Sequence, residues 1–92
     1  MSKVGVHLTI EGRVQGVGFR YFSQRAAISS NLTGFVRNLS DGNVEIVLEG
    51  ENQNINHFIN SIRHDHPYAR VLNINQNELP FTGNFESFQI KY

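Results

Sequence analysis

Seven apolar-patterned segments in the order β-α-β-β-α-β-β, within a chain of one-domain length, predict an α+β fold. The 92 residues support one modest core, burying roughly 60–68% of the surface an unfolded chain would expose. Two helices can cover only one face of such a sheet. The expected architecture is therefore a two-layer α/β sandwich with a mixed, largely antiparallel sheet and both helices on one face. Its two βαβ-like halves match the split-βαβ arrangement of ferredoxin-like folds. Residues 1–92 read as a single domain, with no internal repeat, linker or low-complexity run.

Each element has a local reason. The run from Met1 to His7 already alternates, and Val4, Val6, Leu8 and Ile10 carry the buried parity of a first strand that Gly12 ends. A glycine-punctuated loop follows. From about Arg20 to Ser30 the pattern turns helical, with Phe19, Phe22 and Ala26 on one side. Asn31 suits the left-handed position after the last turn, and Leu32 can pack back on the helix. Thr33 to Leu39 forms a second strand, and Asp41-Gly42 is a hairpin turn signal. Val44, Ile46 and Leu48 alternate in a third strand closed by Gly50. Ile55, Phe58, Ile59 and Ile62 make an amphipathic helical stripe that His66-Pro67 stops. A fourth strand runs from about Arg70 to Asn75. Residues 76–84 are expected as a loop, and Phe88, Ile90 and Tyr92 alternate in a last strand.

Composition excludes several classes. Without cysteine there is no disulfide scaffold, thiolate metal site or cysteine nucleophile. The apolar runs are too short to span a membrane, and the N-terminal run lacks the apolar block of a signal peptide, so a cytoplasmic protein with no membrane partner is expected. Net charge is zero, which disfavours bulk binding of nucleic acid through many phosphate contacts. The charges are nevertheless uneven. Residues 1–40 hold Lys3, Arg13, Arg20, Arg25 and Arg37 against Glu11 alone, whereas residues 41–92 hold three basic and seven acidic side chains. A local arginine excess fits a small anionic ligand, unless the fold mixes the two halves.

The topology has a geometric consequence. A helix joins the first and second strands, so they run parallel, and the third strand sits between them. Their C-terminal ends then share one end of the sheet. The loop over residues 13–20 leaves one of them, and Asn38 and Leu39 lie at the other.

A glycine-rich turn between a strand and a helix start is suited to anions. Its successive N–H groups can face one ligand, and the helix N-terminus adds partial positive charge. Gly16 and Gly18 allow the tight backbone, and Arg20 can return its guanidinium over the cradle. The dinucleotide fingerprint fails because Tyr21 occupies the third glycine place, and no Gly-Lys-Ser/Thr follows for a Walker loop. Spacing alone leaves open a plain tight turn with a surface arginine.

The whole segment Gly12-Arg13-Val14-Gln15-Gly16-Val17-Gly18-Phe19-Arg20 resembles the signature loop of the acylphosphatase family. The resemblance extends through Thr33-Gly34-Phe35-Val36-Arg37-Asn38, Asp41-Gly42-Asn43-Val44-Glu45, Glu49-Gly50 and Phe88-Gln89-Ile90-Lys91-Tyr92, covering nearly the whole chain. It implies a ferredoxin-like enzyme that hydrolyses small-molecule acyl phosphates to a carboxylate and inorganic phosphate, with neither metal nor other cofactor. By that likeness Arg20 binds the phosphate and Asn38 positions the attacking water. The backbone amides of Gln15, Gly16, Val17, Gly18, Phe19 and Arg20 form the cradle. The family's usual size suits a monomer. Phe35 stands where relatives often carry tryptophan, and Asn31 where many have glycine; neither touches the implied site.

The chemistry agrees with such sparse equipment. An acyl phosphate expels a carboxylate, already stable as an anion near neutral pH, so no general acid is needed. A loose phosphoryl transition state asks mainly for positioning and charge stabilisation. The absence of a Ser/His/Asp set or a paired carboxylate site is then no obstacle.

Other residues read more plainly. His64-Asp65-His66 reads as a solvated helix cap, with no second ligand pair spaced for a metal. His7 and His57 read as surface residues, Glu45 and Glu49 as a solvated strand face, and Tyr21 and Phe22 as helix-flank packing. Arg37 has the opposite strand parity to Asn38. Two competing functions are a non-catalytic or carbamoyl-phosphate-specific module of the kind found in larger carbamoyl-transfer proteins, and RNA binding on the same layout. The third strand, Val44 to Glu49, lacks the stacking aromatics that RNA recognition uses.

Overall fold

A computed structural model describes residues 2–92; Met1, the first residue of the alternating N-terminal run, lies outside them. The elements are β1 (Lys3–Arg13), α1 (Phe19–Ser29), β2 (Thr33–Asn38), β3 (Val44–Glu51), α2 (Asn52–His64), β4 (Arg70–Leu79) and β5 (Phe88–Lys91). They form a five-stranded sheet in the order β4-β1-β3-β2-β5. β3 lies antiparallel between β1 and β2, β4 is antiparallel to β1, and β5 runs parallel to β2. This is the predicted split arrangement. Ile10 and Asn38 both pair with Val44, so the ends of β1 and β2 stand side by side.

The core fills the space between sheet and helices. Leu8, Ile10, Val36, Val44, Ile46 and Leu48 are fully buried on one sheet face, and Phe19, Ala27, Ile55, Phe58 and Ile62 close over them. Each such side chain contributes roughly 1.5–3 kcal/mol of burial, so the two stripes suffice to fix which face each helix presents. α1 lies over β2 and β5, and α2 over β3 and β4. The buried line of α1 is Phe19, Ser23 and Ala27, with Phe22 and Ala26 only half-buried. The expected stripe was therefore rotated by one position, because Ser23 is small enough to sit under the helix where sequence polarity suggested solvent.

The chain reversals behave as their residues require. Asn31 takes φ 58°, and the Leu32 N–H donates to Ala27 O, closing α1. At Gly34 (φ 136°) a side chain would collide with the Val47 carbonyl of β3, so glycine is needed there for the strands to approach.

Two expectations fail together. β4 continues through residues 76–79, which pair with β1 from Leu8↔Gln76 to Gly5↔Leu79. This edge strand is held by its main-chain ladder and buries little, so its end has no period-two signature. Glu49, expected on a solvated face, is 4% exposed. β4 and β5 are opposite edges of the sheet, so residues 80–87 must cross the face away from the helices. They are pinned on the central strand: the Thr82 N–H and Oγ–H donate to Glu49 Oε2 at 2.9 and 2.8 Å, and the Gly83 N–H donates to Oε1 at 3.0 Å. Burial opposes ionisation of Glu49, but these hydrogen bonds outweigh it and hold the carboxyl below its ordinary pKa.

Candidate active site

β1 delivers the chain into the loop through Val14, which is buried in the core. Gly16 (φ 74°) and Gly18 (φ 75°, ψ 20°) then turn left-handed, and nothing lies within 4 Å of where a Cβ would project from either. Here the backbone angle, and not crowding, selects glycine; the left-handed conformation costs other L-residues about 1–2 kcal/mol. Gly18 is the N-cap of α1. It provides no side-chain cap, and the first turn carries no acidic residue. The helix N-terminus is thus uncompensated. From Gln15 to Arg20, no backbone N–H donates to an acceptor among the described residues. Six orphan donors at the mouth of a helix form the kind of main-chain nest that takes an anion.

A cavity of about 260 Å³ opens on this nest. It is lined by Gly16, Gly18, Phe19 and Arg20 from the loop and helix, by Asn38 from β2, and by Tyr92 beyond β5. Arg20 and Asn38, 18 positions apart in sequence, therefore share one space. Asn38 has the parity of the buried Gly34 and Val36, which turns it toward the helix side. Its Oδ1 is buried and has no hydrogen-bond partner. A buried acceptor left unpaired is costly, and this one borders the cavity, where an incoming donor can satisfy it. Arg37, on the opposite parity, pairs with Glu45 on the other face. Arg20 is oriented rather than free: Nη1 donates to Lys91 O at 3.3 Å, and the guanidinium carbon lies 4.7 Å from the Tyr92 ring centre.

The cradle residues play unequal parts. Gly16, Gly18, Phe19 and Arg20 line the cavity, whereas Gln15 and Val17 do not. Val17 packs against the core. The Gln15 side chain donates from Nε2 to Leu39 O at 2.8 Å and to Asn43 O at 2.7 Å, tying the loop to the β2–β3 turn one residue beyond Asn38. Sequence reading missed this clamp, along with the roles of Tyr92 and the Lys91 carbonyl. The clamp had no sequence signal, since its partners are backbone carbonyls more than twenty positions away. Tyr92 did have one, in the alternation of Phe88, Ile90 and Tyr92, which puts it on the side of Ile90.

Several plainer readings need correction. Tyr21 is 59% exposed and lines the cavity, so it is not packing. His66 is not a solvated cap. Its ring lies edge-on to Phe22, 5.1 Å between centres, and Nδ1 accepts the N–H groups of Tyr68 and Ala69 at 3.0 and 2.9 Å. His64 and Asp65 do remain exposed at the helix end, bonded to Asn60 O and Ser61 Oγ respectively. His7 sits on the sheet surface and bonds Glu45 at 2.8 Å. Burial opposes ionisation of Glu45, but the His7 and Arg37 hydrogen bonds prevail and lower its pKa. The uneven charges of the two halves are thus partly neutralised across the sheet. Among the described residues, no group of three or more His, Cys, Asp or Glu side chains is placed to hold a metal, and no helix is long and apolar enough to cross a membrane.

Fold and site together define an α+β sandwich with an unpaired main-chain nest suited to an anion and, among the described residues, one arginine as the cation lining the cavity. The acylphosphatase family model matches residues 6–90. The acylphosphatase of Treponema denticola is 43% identical over 86 residues, which cover 94% of this chain and 90% of the relative. The crystal structure of acylphosphatase from Bacillus subtilis superposes with a TM-score of 0.92 at 36% identity, covering 97% of this chain and 99% of that one. Full-length HypF, in its phosphate- and nucleotide-bound form, matches with a TM-score of 0.86 at 30% identity over 99% of this chain and 12% of its own. The chain belongs to the acylphosphatase family.

Proposed function

We propose that this chain hydrolyses the carboxyl–phosphate bond of small-molecule acyl phosphates, using its own residues and no metal, as a cytoplasmic single-domain monomer. The observation that carries the reading is the shared cavity. Gly16, Gly18, Phe19 and Arg20, whose amides are unpaired, line the same cavity as the Asn38 side chain, whose buried carboxamide oxygen is also unpaired. The phosphoryl oxygens sit in the amide nest, and Arg20 spans two of them with its fork of donors. Asn38 Oδ1 accepts a hydrogen bond from a water and aims the water oxygen at phosphorus. The water oxygen forms the new P–O bond as the bond to the acyl oxygen breaks. The carboxylate leaves as an anion, and the water proton passes to a phosphate oxygen. The cradle's task is to stabilise charge on the transferring group, where preorganised donors act most strongly.

The decisive measurement is phosphate release from benzoyl phosphate, with and without chelator, for wild type and Arg20→Ala. Loss of one preorganised donor typically costs about 2.7–4 kcal/mol of barrier, or roughly 10²–10³ in kcat. Arg20→Lys should not restore the rate, because the fork is lost. Wild-type hydrolysis abolished by chelator, or a fully active Arg20→Ala, would refute the proposal. Carbamoyl phosphate, the competing substrate raised by the sequence, is to be run beside benzoyl phosphate in the same assay.

A further inference from the structure

An in-line displacement puts the leaving oxygen across phosphorus from the attacking water. With the water at Asn38, the acyl group leaves the cradle on the side away from β2. α1 covers β2 and β5 while α2 covers β3 and β4, and the groove between the two helices adjoins the catalytic cavity along α1. The groove has a volume of about 500 Å³ and shares Gly18 and Tyr21 with the catalytic cavity. Phe22, Ala26 and Pro67 give it apolar walls.

Its polar groups are not neutral toward ligands. Arg25 lies one helical turn beyond Tyr21, with its guanidinium carbon 5.6 Å from the Tyr21 ring centre. It makes no ion pair and no hydrogen bond among the described residues, since the two ion pairs there belong to Glu45. The His66 Nδ1 lone pair is taken by two backbone N–H groups, so the neutral ring carries its proton on Nε2, as a donor. Asp65 is the one acidic residue lining the groove; its Oδ2 accepts the Ser61 hydroxyl at 3.0 Å, back on its own helix. Tyr21, which the groove shares with the catalytic cavity, and Arg25 lie on one face of α1, about 6 Å apart along the helix axis. That is the reach of a short acyl chain carrying a charge at its far end.

Resting on the acyl phosphate reading above, we propose that this groove is the acyl-group subsite, and that Arg25 selects acyl phosphates whose chain ends in a second carboxylate. The methylenes cross Tyr21 and lie against Phe22 and Ala26. The distal carboxylate meets the Arg25 fork.

The test compares succinyl phosphate with butyryl phosphate, which differ at the far end of the chain, for wild type, Arg25→Gln and Arg25→Lys. Arg25 is exposed, so these variants should fold normally. An exposed charge contact is worth little, so Arg25→Gln should lower kcat/KM for succinyl phosphate by about fivefold. The loss should appear in KM, because the carboxylate is held equally in ground and transition states. Butyryl phosphate should change by less than about twofold, and Arg25→Lys should recover part of the loss. If butyryl phosphate is turned over but Arg25→Gln shifts both substrates alike, or neither, the subsite assignment fails while the activity stands. If wild type turns over neither substrate, the acyl phosphate reading fails with it.

Discussion

The Gln15 clamp permits a quantitative test of how the site is assembled. Gln15→Met keeps the length of the side chain and removes both hydrogen bonds to Leu39 O and Asn43 O. Each bond contributes a net of about 0.5–1.5 kcal/mol, so the pair accounts for roughly 1–3 kcal/mol. A domain of this size shifts by about 4–8 °C per kcal/mol, so a central loss of about 2 kcal/mol lowers Tm by about 8–16 °C. The kinetic consequence is separate. Gln15 joins the loop that holds phosphate to the turn that follows Asn38, so its loss loosens the distance between nest and water. Small misplacements of reacting groups are expensive, and kcat should fall about tenfold. Inhibition by inorganic phosphate should stay within about twofold of wild type, because the glycines and Arg20 are untouched. Thermal unfolding followed by circular dichroism, with steady-state kinetics and phosphate inhibition, gives all three numbers. A Gln15→Met protein with wild-type Tm and kcat would show that loop and hairpin are held in register by something else. Equal loss of kcat and phosphate affinity would show that the clamp serves the cradle and not Asn38.

Two further expectations follow from the same geometry. Asn38→Ala should lower kcat far more than it weakens inhibition by phosphate, as expected for a group that acts on the water alone; abolished phosphate binding with intact turnover would remove Asn38 from that role. Glu49, whose pKa is lowered in the folded protein, contributes stability that is fully present above its ordinary value of 4.5 and is lost as pH falls through the depressed value. Thermal melts across an acid series should therefore show a steeper decline for wild type than for Glu49→Gln, and parallel curves would mean the pin on Thr82 and Gly83 does not titrate.

Much of this was legible in residue order because it depends on local periodicity. The parity of Val6, Leu8 and Ile10, the spacing of Ile55, Phe58 and Ile62, and the turn at Asp41-Gly42 each encode an element that forms for near-neighbour reasons. The misreadings share a cause. Gln76 to Leu79 extend an edge strand through main-chain pairing, which any side chains permit. Glu49 has the parity of a solvent-facing residue, and parity does not say that a later segment must cross that face. His66 reads as polar, yet its ring rests on Phe22, a contact between α1 and the segment that follows α2, distant in sequence.

The same division runs through the site. Residue order by itself determined the left-handed glycines, the helix entry and the arginine that follows, since these are properties of nine consecutive residues. It also determined the strand order that brings the ends of β1 and β2 together, because connection handedness and layer packing leave few alternatives. Only the tertiary structure decided what stands around the nest: Asn38 turned inward, Gln15 tied to the hairpin, Tyr92 and the Lys91 carbonyl holding Arg20, and a second groove opening beside Tyr21. Those are contacts across tens of residues, set by how two layers close on a shared core, and no short window of sequence contains both partners.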